Sequence, residues 1–111
     1  MERILKKYNP MTETAFYILL SLTTPKHGYG IIKNIEQLTN GRLKLGSGTI
    51  YGTLTKMQQD GLIQVYGDQD RKTIYDVTEL GMVILQQEIR RIKEVHQHVL
   101  QYEEALVDEK D

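Results

Sequence analysis

The chain has no cysteine and no tryptophan, one phenylalanine and two prolines among its 111 residues. Without cysteine there is no disulfide, no thiolate metal site and no cysteine nucleophile. No apolar run approaches the roughly 20 residues that span a bilayer. No signal-type apolar stretch with a small-residue cleavage site follows the basic Arg3, Lys6 and Lys7. The expectation is a cytoplasmic protein with no membrane partner. Histidine is scarce too: His27, His96 and His98 are the full set. His96 and His98 stand two apart on a helix, so they face different ways and do not easily share a metal. His27 sits in a turn, where a local hydrogen bond is its expected use. No phosphate-binding glycine loop, nucleophile elbow or paired-carboxylate arrangement appears. The sequence points to no enzyme, no cofactor and no metal site.

What the chain does have is an uneven charge distribution. The formal net charge is -1. Residues 1–78 carry ten Lys and Arg against seven Asp and Glu, whereas residues 79–111 carry four against eight. A basic front and an acidic back are hidden in one near-neutral total. Binding a polyanion needs a basic face rather than a basic protein. An acidic helix with no nucleic-acid partner explains the same split.

The hydrophobic pattern divides the chain into elements. Residues 2–9 read as a polar, basic arm. Thr12 is a helix cap, and Ala15, Phe16, Ile18, Leu19, Leu20 and Leu22 make the helix after it apolar on most sides, as a central core helix is. Ile31, Ile32, Ile35 and Leu38 mark a second helix from about Tyr29, which Asn40-Gly41 stops. Arg42-Leu43-Lys44-Leu45 alternates as a brief strand does. Ser47 caps a third helix over residues 47–60, with Ile50, Leu54 and Met57 on its buried side. Leu62–Tyr66 and Lys72–Val77 are rich in β-branched and aromatic residues and read as a hairpin around the polar turn Gly67–Arg71. Thr78 caps a last helix from about residue 79 to 107.

Three helices followed at once by a hairpin make a winged helix-turn-helix. The expected fold class is therefore mainly α with a small β-wing, plus a long C-terminal dimerisation helix. Residues 1–78 form the DNA-binding unit with its basic arm, and residues 79–111 the pairing helix. A major groove accepts one α-helix if that helix presents small or polar residues. At 100° per residue, Gly48, Tyr51, Gly52, Thr55, Lys56 and Gln59 fall opposite the buried stripe. Two glycines on that face cost roughly 1 kcal/mol each relative to Ala. Close approach of the backbone to DNA compensates, and so does tight packing against a neighbouring helix. Ser47 and Thr49 at the helix start can donate to phosphate or base. Tyr51 can reach a phosphate or lie over the core edge. At the wing, Arg71 and Lys72 are the candidate phosphate contacts. Lys26, Lys33, Arg42 and Lys44 are either further contacts or solvated charges. Used for protein contact instead, the third helix would carry an apolar outer face.

In the last helix Leu85, Ile92, Val99 and Leu106 recur every seventh residue, with Ile89, Val95 and Tyr102 at three- or four-residue offsets. About 28 residues span about 42 Å, more than a small domain covers. A second copy is the simplest partner for the surplus stripe; the alternative is a helix folded back on its own domain. Tyr8, Phe16 and Ile89 are candidates for lining a small-molecule effector pocket, or else they fill the dimer core.

Four blocks then resemble the PadR family of bacterial regulators: Pro25–Ile32 (PKHGYGII), Gly48–Leu54 (GTIYGTL), Asp60–Ile63 (DGLI) and Tyr75–Gly81 (YDVTELG). They come in the family's order and spacing over residues 12–85. The resemblance implies a homodimeric winged-helix repressor of double-stranded DNA, with the third helix in the major groove and the hairpin as wing. It also implies a C-terminal helix crossing its partner and, in many members, release by a small molecule near the dimer interface. The single short C-terminal helix resembles the family's smaller members. The chain departs from the pattern at Gly52, where the family usually has proline. It also lacks the tryptophan that one drug-binding member uses as a stacking platform.

Overall fold

A computed structural model describes the backbone of residues 1–110 and the side chains of residues 1–106. The elements are α1 (Glu2–Lys7), α2 (Glu13–Ser21), α3 (Gly28–Leu38), α4 (Ser47–Gln59), β1 (Ile63–Gln69), β2 (Lys72–Val77) and α5 (Glu79–Lys110). This is the expected winged helix-turn-helix: mainly helical, with a two-stranded antiparallel wing and a long final helix.

The core forms where the apolar stripes of four helices meet. Ile18, Leu19 and Leu22 from α2 and its end, Ile31 and Ile35 from α3, Ile50, Leu54 and Met57 from α4, and Ile84 and Leu85 from α5 are all sealed from solvent. Each such side chain contributes about 1.5–3 kcal/mol through removal from water. The caps that fix the element boundaries are local. Thr12 Oγ1 accepts from the Ala15 N–H at 3.1 Å, and Thr78 Oγ1 from the Gly81 N–H at 3.0 Å. At the end of α4, Gly61 takes φ +80°. The Leu62 N–H then reaches the Met57 carbonyl, and the Gly61 N–H that of Gln58, the double closure that a left-handed residue after a helix permits.

Four local expectations are corrected. Residues 2–7 are a helix, not a loose arm, because Ile4 and Tyr8 bury against the core. The cap of α4 is Gly46 and makes no side-chain hydrogen bond; Ser47 is the first helical residue. Residues 42–45 form no strand, having no partner to pair with among the described residues. The wing turn is only Asp70-Arg71, both with positive φ (51° and 66°), so β1 continues through Gln69. That two-residue turn has the twist that matches paired strands.

The wing is fixed at its base. Lys26 and Tyr75 exchange backbone hydrogen bonds at 3.0 and 2.9 Å, and the Val77 N–H donates to the Leu22 carbonyl at 3.0 Å. The ladder shifts register between Val65 and Gly67, leaving Tyr66 in a bulge. The molecule measures 60 × 34 × 21 Å, its long dimension reflecting α5, whose 32 residues span about 48 Å. Leu85, assigned to the seam between two copies, lies instead inside the protomer's own core, because the first turns of α5 complete it. From Ile92 to Leu106 every residue of α5 is exposed. That stretch includes Ile92, Val95, Val99, Leu100, Tyr102 and Leu106.

Candidate nucleic-acid interface

The two faces of α4 separate cleanly. Ile50, Leu54 and Met57 are 0–1% exposed, while Ser47, Gly48, Thr49, Tyr51, Gly52, Thr55 and Lys56 all face out. A Cβ built on Gly48 or Gly52 meets no atom within 4 Å. Packing inside the protomer therefore does not account for these glycines, and the missing side chains leave the α4 backbone bare on its outer face. No large aliphatic side chain lies there, which is the opposite of what a protein-docking helix shows.

Gly28 is a different case. A Cβ there would stand 2.7 Å from the Tyr51 hydroxyl oxygen and 2.8 Å from its ring. The glycine lets the half-exposed Tyr51 ring approach the start of α3. Thr55 Oγ1 donates back to the Tyr51 carbonyl at 2.9 Å. Its hydroxyl proton is thus used within the helix, and Thr55 offers an outside partner an acceptor and a methyl group.

The cations sort by what they touch. Lys26 Nζ donates to the Ser21 carbonyl at 2.7 Å, capping the end of α2, and burial pushes its pKa below the usual lysine value. Arg42 pairs with Glu13 at 2.7 Å on the surface, which holds its guanidinium proton more tightly than usual. These two are engaged locally. Lys33 lies over the Tyr29 ring at 5.5 Å. Lys56, Arg71 and Lys72 are exposed beside the outer face of α4 or at the wing tip. In the first helix, Lys7 meets Asp60 at 2.7 Å, so this cation of the expected basic arm is turned onto the protein.

His27 behaves as its position suggests. Its Nδ1 accepts from the Gly30 N–H at 3.1 Å, capping α3. Its ring stacks on Tyr29 with centroids 6.4 Å apart. The wing and the starts of α3 and α4 leave a cleft of about 280 Å³ between them, bordered by His27, Tyr29, Tyr51 and the wing residues Arg71 to Thr73. Sequence reading brought Tyr51, Arg71 and Lys72 to the site but missed Tyr29 and Thr73. The Lys26–Tyr75 bridge, a contact between residues 49 apart in sequence, and the Val77–Leu22 hydrogen bond bring the wing beside the α2–α3 turn.

The candidate effector residues do not converge in the same way. Tyr8 borders a cleft of about 220 Å³ with Met11, Ala15, Thr53, Lys56 and Met57, and its hydroxyl donates to Asp60 at 2.6 Å. Phe16 and Ile89 pack against the core elsewhere and do not border that cleft. Among the described residues no three His, Asp or Glu side chains gather as a metal site, and no helix is long and apolar enough to cross a membrane.

The sequence model of the transcriptional regulator PadR-like family matches residues 18–87. The chain belongs to this family. Over 73 residues it is 32% identical to the transcriptional regulator YqjI of Escherichia coli K12, a match that covers 66% of this chain and 35% of that protein. The chain thus spans about a third of the length of that curated relative. Among solved structures, a transcriptional regulator from Clostridium thermocellum superposes with a TM-score of 0.68 at 23% identity, covering 92% of this chain and 96% of the other. Bacillus subtilis PadR, solved in complex with operator DNA, gives 0.62 at 24% identity, covering 72% of this chain and 48% of that one. The fold and the family are those of transcription regulators rather than enzymes. Within this PadR-like chain the four sequence blocks have physical reasons. Pro25–Ile32 shapes the α2–α3 turn and, at Gly28, leaves room for the Tyr51 ring. Gly48–Leu54 carries both faces of α4, Ile50 and Leu54 inward and Gly48, Thr49, Tyr51 and Gly52 outward; Asp60–Ile63 closes α4 and starts the wing, and Tyr75–Gly81 joins the wing to α5.

Proposed function

We propose that the chain is a sequence-specific DNA-binding regulator that represses transcription as a homodimer on a roughly palindromic operator. The observation that carries this reading is the bare outer face of α4, with its two unobstructed glycines, together with the exposed Arg71 and Lys72 at the wing tip. A bare helix face fits a major groove, and backbone approach offsets the helix cost of the glycines. Thr49, Tyr51 and Thr55 are the groove-side contacts. Lys56, Arg71 and Lys72 neutralise phosphates, with Ser47, Gly48 and Gly52 allowing close approach. Family membership and the fold shared with a PadR solved on operator DNA support the same reading.

The pairing helix follows from α5. Ile92, Val95, Val99, Tyr102 and Leu106 are spaced 3, 4, 3 and 4 apart and lie exposed on a helix that extends beyond its own core. That spacing is the seam of two helices packed side by side. Residues 1–78 then act as the reading unit and residues 79–111 as the dimerisation helix, with Ile89 at the border between core and seam. A two-fold dimer presents two α4 helices about 34 Å apart, one DNA turn, so the operator is palindromic. The cleft at Tyr8 opens behind Lys56 and Met57 of α4. A small-molecule effector seated there would act on the reading helix directly.

The test is binding to a labelled duplex from the region upstream of the protein's own gene, with salt titrated and a scrambled competitor. Two protomers per site, resistant to the competitor, is the expected result. Equal loss to the scrambled duplex there, repeated with duplexes selected from a random pool, would leave only non-specific affinity and sink the reading.

A further inference from the structure

We infer that the cleft between the wing, the start of α3 and the start of α4 is a seat for one DNA backbone phosphate, and that Tyr29 and Thr73 bind it together with Tyr51, Arg71 and Lys72. This rests on the DNA-binding reading above and deepens it. It adds two contact residues and converts separate contacts into one built site.

Three observations lead to it. First, no acidic side chain borders the cleft, although the wing carries Asp68 and Asp70 close by in sequence. Its border holds two cations, Arg71 and Lys72, three tyrosines (Tyr29, Tyr51 and Tyr75), Thr73 and His27. That is a donor set for an anion, since hydrogen bonds to a charged acceptor are shorter and stronger than neutral ones. Second, the three rings at the cleft already have neighbours before anything binds. Gly28 has no side chain where the Tyr51 ring lies, and a Cβ there would stand 2.7 Å from the Tyr51 hydroxyl oxygen. Tyr29 is stacked on His27 from one direction and carries Lys33 Nζ at 5.5 Å from its ring centroid. His27 is itself fixed by accepting from the Gly30 N–H, which leaves Nε2 as the ring's donor. A site that is ordered in advance spends less entropy on binding. Third, the base of the wing is tied to the turn preceding α3, because Lys26 and Tyr75 are paired through their backbones. A phosphate in this seat is held from three elements at once. It therefore fixes how deeply and at what angle α4 sits in the groove. Phosphate contacts position a protein on DNA, while base contacts specify.

The measurement is affinity of the full-length protein for its selected operator and for a scrambled duplex, comparing wild type with Tyr29→Phe and Arg71→Gln. Tyr29→Phe keeps the stacked ring and removes only the hydroxyl, so the fold should persist; circular dichroism checks it. Each variant should bind both duplexes about tenfold more weakly, the size of one lost hydrogen bond to a charged group. Arg71→Gln should also reduce the salt slope by about one. The decisive arm replaces each phosphate of one half-site in turn with an uncharged methylphosphonate. One position should weaken wild type strongly and add nothing further to Tyr29→Phe. Losses that add independently at every position, or unchanged affinity for Tyr29→Phe, would overturn the seat while leaving DNA binding intact. If wild type itself shows no salt-dependent affinity for any duplex, both the seat and the DNA-binding reading are overturned.

Discussion

The Tyr8 hydroxyl donates to Asp60 Oδ2 at 2.6 Å, and Lys7 Nζ reaches the same oxygen at 2.7 Å. Asp60 is the residue that closes α4, so the first helix is tied to the end of α4. Burial raises the Asp60 pKa, but the hydrogen bonds from Lys7 and Tyr8 and the charges of Lys7 and Arg3 outweigh it, leaving the carboxyl below its ordinary value. Burial, and then Asp60 itself, raise the Tyr8 pKa above the usual tyrosine value.

A pH dependence follows. A depressed carboxyl stabilises the fold fully above its unfolded value, near 3.8, and that stabilisation is lost as pH falls through the lower folded value. The difference in unfolding free energy between wild type and Asp60→Asn should therefore be constant at neutral pH and shrink below about pH 4. Tyr8→Phe should cost about 1–2 kcal/mol at neutral pH. Denaturant unfolding across a pH series checks both, and a difference that grows in acid would reverse the assigned sign.

Glycine substitutions should separate fold from function. At Gly81 a Cβ would lie 2.1 Å from the Leu62 carbonyl oxygen and 2.6 Å from Val77 Cγ2. Backbone cannot yield cheaply, so Gly81→Ala should cost about 2–3 kcal/mol. Gly52 faces open space, and Gly52→Ala should stabilise by about 0.5–1 kcal/mol while weakening DNA binding. Thermal unfolding and duplex titration on the same samples read both. Unchanged affinity for Gly52→Ala would remove the argument for close backbone approach.

Glu88 is 1% exposed. It accepts from the Met11 N–H at 3.2 Å and is paired with Arg91 through two hydrogen bonds, which raises the Arg91 pKa. Glu88→Ala leaves the Met11 N–H without its partner and should cost about 3 kcal/mol. Arg42→Ala, which breaks an exposed pair with Glu13, should leave the unfolding midpoint where it is.

The wing tip carries Arg71 at φ +66°, a conformation that costs an ordinary residue roughly 1 kcal/mol and glycine almost nothing. Arg71→Gly should thus raise stability slightly and lower DNA affinity for every sequence. With Lys72→Ala added, the salt dependence should flatten further. A double variant that keeps full affinity and salt slope would place the phosphate contacts elsewhere.

On α5, Ile92→Asp or Val99→Asp should yield a monomer in sedimentation or light scattering, since burying an unpaired carboxylate costs several kcal/mol. Both side chains are already exposed in the single chain, so each variant should keep its helical content. A variant that still sediments as a dimer moves the interface off this stripe.

The order of elements from α2 onward, apart from the strand expected at residues 42–45, the inner and outer faces of α4 and the overhang of α5 were legible in the sequence. They depend on periodicity and on caps such as Thr12 and Thr78, and those act within a few residues. The tertiary structure decided the rest. Ile4 and Tyr8 make residues 2–7 a packed helix, because a surface left by α4 and α5 is there to receive them. Asp60 and Glu88 look like ordinary surface carboxylates in the sequence, and only partners 52 and 77 residues away make them structural. Tyr29 shares a cleft with the wing because strand β2 pairs with the α2–α3 turn. Leu85 fits the seven-residue repeat as well as Ile92 does, and only the position of the core along α5 sends one inward and leaves the other exposed. Periodicity says which face is apolar, while the packing of distant segments decides what covers it.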